Sequence, residues 1–249
     1  MPFTAKSGKF NASINTVEFG TGDKAVKIGG ENVFPLYSFD AAIENAPKVG
    51  IEITDFGMEH EPECIKKYYE GCATLADMAR KAASMEGVDF LSFRMEGGDP
   101  NGANKSTEEL IGELKEIADA VDLPLVVCGC KNVEKDAELF SKAAEALNGK
   151  NAVILSAKEE NYKTVGAAAG LAYKQIVGAE SAVDINLAKQ LNVLISQLGV
   201  DSKSVVMNVG SAAVGYGFEY VISTMDRVKA AALQQGDANL QMPIITPVA

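Results

Sequence analysis

The chain has 249 residues, 47% of them hydrophobic, with 23 lysines and arginines against 34 aspartates and glutamates, a formal charge of −11. That acidic balance works against nucleic acid and anionic membranes as partners, no apolar run approaches the ~20 residues needed to cross a bilayer, and the N-terminal MPFTAKSGKFNAS has no apolar signal core. The expectation is a cytoplasmic globular protein with material for a large core, either one α/β barrel or two smaller domains.

Residues 1–48 read as a hairpin and a lead-in segment. Val17 and Phe19 alternate with polar neighbours, Gly20-Thr21-Gly22-Asp23 turns, and Val26 and Ile28 alternate again. No helix follows the Gly-Thr-Gly, so a dinucleotide loop is a poor reading; a hairpin plugging one end of a barrel is the expectation. Asn45-Ala46-Pro47-Lys48 then breaks the pattern.

Residues 49–249 are periodic. Strand-like runs fall at 49–54, 90–95, 125–128, 152–156, 175–177, 204–209 and 243–248, with helical patterns between them. Cys72, Leu75, Ala76, Ala79 and Ala83 share a face of the first, and Cys64 and Cys72 are read as lying on one helix. Ser106-Thr107-Glu108-Glu109 has capping-box spacing and precedes the stripe Leu110, Ile111, Leu114, Ile117, Ala118 and Val121. Leu139, Phe140, Ala143, Ala144 and Leu147 mark a third helix that Gly149 ends. The fourth, at 164–173, is alanine-rich. Asp184 is placed to cap the fifth, and Val221, Ile222, Met225, Val228 and Leu233 line the sixth. Seven strands alternating with six helices approach a TIM-type (β/α)₈ barrel. The fold expected is therefore an α/β barrel incomplete at the C-terminus, with strand 8 and the last helices absent, plus the N-terminal β-hairpin.

Metal chemistry is thinly provided for. Of the cysteines, Cys64 and Cys72 are too far apart to share an ion. Cys128-Gly-Cys130 sits at a strand end where i and i+2 point the same way, open to a metal or redox role or to two packed, reduced thiols. There is no cluster signature, and His60 is the only histidine, flanked by glutamates as in a solvated loop.

The working face of a parallel barrel is at the strand carboxyl ends. There the sequence places Asp55 and Met58–Glu63, the run Glu96-Gly97-Gly98-Asp99-Pro100-Asn101-Gly102-Ala103-Asn104, then Glu159 to Tyr162, Asp184 and Asn186, Asn208 and Ser211, and Thr246. The face is rich in amides and carboxylates, with no evident nucleophile–base pair. Asp99 and Asp184 read either as an acid/base pair or as a turn cap and a helix cap. Asn101 and Asn104 read either as ligands for an amide-bearing or pterin ring edge or as local turn formers. Asn208 ends a buried strand and needs a partner.

Several runs together resemble the small (delta) subunit family of the corrinoid iron–sulfur protein, the acetyl-CoA decarbonylase/synthase delta subunits. They are Gly97-Gly98-Asp99-Pro100-Asn101-Gly102-Ala103-Asn104, then PLVVCG from Pro124, Asn132-Val133-Glu134-Lys135-Asp136, Glu160-Asn161-Tyr162-Lys163, Asp184-Ile185-Asn186 with Lys189-Gln190-Leu191-Asn192, Gly215-Tyr216-Gly217-Phe218-Glu219-Tyr220 and Met242-Pro243. No single run is decisive; seven in one order are specific. Family members are longer at the C-terminus, which supports reading the chain as truncated.

The resemblance implies a barrel similar to pterin-binding methyltransferases, in a heterodimer with a large corrinoid iron–sulfur subunit. That partner would hold the corrinoid (a cobalamin) for the most part and carry the iron–sulfur cluster alone. The complex would carry a methyl group from methyltetrahydrofolate, delivered by a methyltetrahydrofolate:corrinoid methyltransferase, to carbon monoxide dehydrogenase/acetyl-CoA synthase in the reductive acetyl-CoA (Wood–Ljungdahl) pathway. This chain would cap the corrinoid without catalysing alone, through Asn101, Asn104, Asp184, Asn186, Asn208 and Ser211 on one end of the barrel. The competing expectation is a self-standing pterin-binding barrel methyltransferase, with Asp99, Asn101 and Asn208 holding the pterin. A lyase-type barrel would want a strand-end lysine, and only Lys158 comes near.

Overall fold

The computed structural model describes residues 10–34 and 43–248. Strands β1 (Val17–Phe19) and β2 (Val26–Ile28) form a two-stranded hairpin around a 3₁₀ turn at Gly22–Lys24. The main parallel sheet holds β3 (Gly50–Thr54), β4 (Phe90–Arg94), β5 (Leu125–Cys128), β6 (Val153–Ala157), β7 (Ile176–Glu180) and β8 (Val205–Asn208), side by side in chain order. Strand order equal to chain order, with a helix in each crossover, is the winding of a (β/α) barrel and differs from that of a doubly wound sheet. The helices are α1 (Glu63–Tyr68), α2 (Leu75–Ala83), α3 (Thr107–Ala120), α4 (Val133–Ala146), α5 (Tyr162–Val165), α6 (Ile185–Gln197) and α7 (Phe218–Gln234). The chain divides into two compact units, one of Glu18–Val26 and Lys48–Val177, the other of Met1–Val17, Lys27–Pro47 and Gly178–Ala249.

In the first unit the register sets Ile53 beside Phe93, Phe93 beside Val127 and Val127 beside Ile154. All four are buried, and they form one continuous apolar row across the sheet. Strands buried on both faces need such runs, because in a parallel sheet helices cover what water would otherwise wet. Thus α2 lies against β3 and β4, α4 against β6, and α3 packs between α2 and α4. The α3 stripe of Leu110, Leu114 and Ile117 is fully buried.

Helix ends follow the cap chemistry with two departures from the sequence reading. The Ser106 hydroxyl accepts the Glu109 N–H at 3.1 Å, but the reciprocal bond is not formed there. A complete capping box occurs at Thr74–Asp77 instead. Cys64 and Cys72 do not share a helix: α1 ends at Tyr68, and Gly71, at φ +88°, turns the chain before α2. The alanine-rich stretch is also no plain α-helix. Beyond α5 it continues as a π-helical segment, Gly166–Ala172, whose small buried residues Gly166, Ala169 and Gly170 bring it close to α4. The strand read from 175 starts at Ile176. Gln175 is fully buried and acts as a clip, its Oε1 accepting Ala152 N–H at 2.6 Å and its Nε2 donating to Leu147 O at 2.9 Å.

The hairpin tip belongs to this unit and sits at the amino-terminal side of the strands. Phe19 packs edge-on to Phe90 with ring centroids 5.6 Å apart. Gly20 donates its N–H to Asn151 O at 2.7 Å, and the Asn151 side chain donates back to Glu18 O at 2.9 Å. Gly20, at φ +83°, lies so close to Pro124 that a side chain there would collide with it. A cavity of about 370 Å³ opens beside it, lined by the Gly20–Lys24 turn, the α3–β5 corner and Lys150; none of the candidate residues above line it.

In the second unit the run at 243–248 does not make a seventh sheet strand. Among the described residues it gives one parallel bridge, Ile244 to Met207, with bonds from Met207 N–H to Pro243 O at 2.8 Å and from Ile245 N–H to Met207 O at 2.9 Å. Pro243 and Pro247 have no N–H, so the ladder cannot extend on either side. Lys229 of α7 and Glu31 form an ion pair here; burial pulls the Lys229 ammonium down to about 8.

Candidate functional site

Each unit carries its own polar set beyond the strand carboxyl ends. In the first, Asp55 follows β3 directly and its side chain is wholly buried. It accepts the Gly97 N–H on both oxygens, at 2.9 and 3.1 Å. Lys105 Nζ lies 3.0 Å from Asp55 Oδ2, donates to the Asp55 carbonyl at 3.0 Å and to Glu113 Oε1 at 3.2 Å, and stands 5.5 Å from the centre of the Phe56 ring. Burial disfavours the Lys105 ammonium, but its bonds to Asp55 and Glu113 outweigh this and hold its pKa above the ordinary value. Burial wins at Glu113, whose carboxyl is pushed above the usual carboxylate range despite Lys105; its Oε2 is buried with no partner among the described residues.

Two strands over from β3, Asp136 in the first turn of α4 performs the same service after β5. It is buried and accepts the Cys130 N–H at 2.7 Å. Burial raises its pKa, against the bonds from Cys130 and the charge of Lys158. Burial, followed by the nearby Asp136 charge, pushes the Cys130 thiol up to about 11, so this thiol is protonated and poorly nucleophilic. Cys128 Sγ lies 3.4 Å from Ser92 Oγ. On β3 and β4, Arg94 grips Glu52 with two bonds of 2.7 and 2.8 Å, the fork-to-carboxylate geometry that guanidinium favours. Among the described residues no three His, Cys, Asp or Glu side chains group as a metal site.

Of the sequence candidates, two lie in this unit, in the exposed loop after β4. Asn101 uses its backbone and side-chain amides on Asp99 Oδ1 at 3.0 and 3.2 Å, which is the turn role. Asn104 is exposed at φ +51°, with no bond from its side chain to a described residue.

The other four lie in the second unit and follow β7 and β8. Asp184 Oδ1 caps α6, accepting Asn186 N–H at 2.7 Å and Leu187 N–H at 3.2 Å. Asn208 is buried and its Oδ1 accepts the Gly210 N–H at 3.0 Å. Asn186 and Ser211 are exposed, with side chains not hydrogen-bonded to a described residue. The backbone before Asp184 is strained. Ala182 and Val183 take φ of +45° and +67°, costly for any side chain and more so for a β-branched one. Val183 N–H to Val209 O at 2.8 Å and Thr224 Oγ1 to Val183 O at 3.3 Å hold it there. The Ser181 hydroxyl beside it is fully buried with no partner among the described residues. After β8 the glycine-rich loop puts Val214 and Tyr216 into solvent, 82% and 88% exposed, and Tyr220 follows at 66% on the first turn of α7.

Because Asp184 caps α6, Asp184→Ala is expected to cost about 1 kcal/mol, while Asp184→Asn keeps the acceptor and costs little. Urea unfolding of the two variants measures the difference.

The family model for the CO dehydrogenase/acetyl-CoA synthase delta subunit matches residues 16–249. The chain belongs to that delta-subunit family. It is 32% identical over 238 residues to the acetyl-CoA decarbonylase/synthase complex subunit delta of Methanothermobacter thermautotrophicus, covering 94% of this chain and 60% of the relative. To the subunit delta of Methanopyrus kandleri it is 34% identical over 227 residues, covering 90% and 56%. The chain thus spans somewhat more than half the length of these delta subunits.

The sequence reading of this delta-family chain passed over Lys105 and Glu113. The available signal was Asp55, an acid at the carboxyl end of a strand, which once buried calls for a cation or donors in reach.

Proposed function

We propose that the chain is the small subunit of a corrinoid iron–sulfur methyl carrier. A large subunit would hold the corrinoid for the most part and carry the iron–sulfur cluster. The methyl group would pass from methyltetrahydrofolate, through a separate methyltransferase, to carbon monoxide dehydrogenase/acetyl-CoA synthase in the reductive acetyl-CoA pathway. The chain's part is to cover the cofactor, and the residues assigned to that role are Asn101, Asn104, Asp184, Asn186, Asn208 and Ser211.

The observation that carries this reading is the loop after β8. Two large apolar side chains more than four-fifths exposed are unusual on a surface that stays wet; on one glycine-rich loop they mark a surface that another body covers. Family membership supports the reading, since the relatives are named as subunits of a complex. The chemistry fits a corrinoid as well: its rim carries amide groups and its ring faces are apolar. Asn104, Asn186 and Ser211 have donors and acceptors not committed to described residues, and Val214 and Tyr216 offer apolar surface. When bound, the corrinoid supplies the metal that carries the methyl group. This chain's residues exclude water and orient the rim through amides and hydroxyls, which do not compete for the metal as an imidazole or thiolate would.

Tyr216→Ala and Val214→Asp are expected to weaken capture of the large corrinoid subunit. For Tyr216→Ala the loss is put at about 2 kcal/mol, or roughly thirtyfold in Kd, with the urea midpoint of the isolated chain unchanged. Wild-type capture by both variants would remove the loop from the interface. Tight binding of methyltetrahydrofolate by the chain alone would favour the self-standing methyltransferase instead.

A further inference from the structure

The sequence contains two Asn-Gly pairs, Asn101-Gly102 and Asn148-Gly149. Asn-Gly is the pair most prone to intramolecular attack, because glycine lets its own nitrogen reach the preceding side chain. We infer that Asn148 is a site of spontaneous covalent modification in the folded chain and that Asn101 is protected. In the reaction the deprotonated Gly149 nitrogen bonds to Asn148 Cγ and ammonia leaves, closing a five-membered imide. Water then opens the ring at either carbonyl, to aspartate or to isoaspartate. The reaction consumes one water, and it needs a free side-chain amide and a backbone N–H not tied up elsewhere.

At Asn101 both requirements fail. The side-chain nitrogen donates to Asp99 Oδ1 at 3.2 Å, and the attacking group, Gly102 N–H, is bonded to Asp99 O at 2.9 Å. At Asn148 both are met. The residue is exposed on the turn after α4, its side chain has no hydrogen bond to a described residue, and the Gly149 N–H has no acceptor among the described residues. Gly149, at φ +82°, has nothing within 4 Å of where a side chain would stand, so the turn has room to rearrange.

The position has consequences for the fold. Lys150 N–H bonds to Leu147 O at 2.9 Å across this turn, and Asn151 next to it holds the hairpin through Glu18 O and Gly20 N–H. Isoaspartate lengthens the backbone by one carbon in that corner. Either product also adds a negative charge near the C-terminus of α4, where the helix dipole disfavours it.

The test is to age the purified chain in mildly alkaline buffer and map peptides by mass and by isoaspartyl labelling. Asn148 should convert at least about tenfold faster than Asn101, since Asn101 must first break two turn hydrogen bonds; in urea the two rates should converge. Gly149→Ala should suppress conversion at 148 alone. Hydrogen exchange at 18–20 should speed up in the aged protein. Faster conversion at Asn101 in the folded chain, or conversion at Asn148 only after unfolding, would overturn the assignment.

Discussion

Lys105→Met is expected to destabilise the chain by about 3 kcal/mol, in the range found when one member of a buried ion pair is removed. The Asp55 side chain has no exposure to water, and Lys105 is the cation 3.0 Å from it. Methionine fills much the same volume, so packing is nearly kept and what changes is charge. Asp55 would be left with the Gly97 N–H alone, and Glu113 with no counter-charge from this group. The deficit should therefore shrink in acid, where the Glu113 carboxyl takes its proton and no longer lacks a counter-charge. The third member gives a separate readout. Burial raises Glu113 above its ordinary value of 4.5, so the folded chain keeps that proton to higher pH than the unfolded one. The stability this contributes is fully present below about 4.5 and is lost as pH rises through the raised value. Glu113→Gln never ionises and lacks that loss, so its urea midpoint should gain on the wild type as pH rises from acid toward neutral. Midpoints that run parallel across the series would mean that Glu113 ionises freely in the folded state.

This network also shows where reading the chain as a string stops. Periodicity reports which positions share a face, and it located the hairpin, the six sheet strands, the glycine stop at Gly149 and the Asp184 cap, because each is decided within one turn of its own residue. Asp55, Lys105 and Glu113 come from a strand end, a loop and a helix. Nothing local says that three such positions meet; that follows only from the register of β3 on β4. The failed strand at 243–248 has the opposite cause. Its strand-like run was legible, and so were Pro243 and Pro247, but the donors they lack matter only once a neighbour is there to be bonded. At the candidate site, the buried end of β8 called for a partner to Asn208, and it has one in Gly210 N–H. The strain at Ala182 and Val183 had no signal, since neither residue type favours positive φ.

Gly129→Ala is expected to be strongly destabilising for the addition of a single methyl. Gly129 lies between β5 and Cys130, and a Cβ built on it would fall inside the van der Waals shell of the Asp136 carboxylate, with both oxygens and Cγ too close. The strand end and the first turn of α4 hold the two groups from either side, so neither can retreat cheaply. Overpacking of this kind costs ~1–3 kcal/mol. Pushing the carboxylate away also breaks its 2.7 Å bond from Cys130 N–H, a bond to a charged group worth ~1.5–3 kcal/mol. A total of about 3 kcal/mol or more is expected. A double-mutant cycle separates the two causes. Asp136→Ala alone leaves the buried Cys130 N–H without its acceptor, at ~1–3 kcal/mol, but it also empties the space that the new methyl needs. Gly129→Ala/Asp136→Ala should then be about as stable as Asp136→Ala by itself, a strongly non-additive result. If the two costs simply add in urea unfolding, the methyl meets something other than the carboxylate, and Gly129 owes its place to backbone conformation.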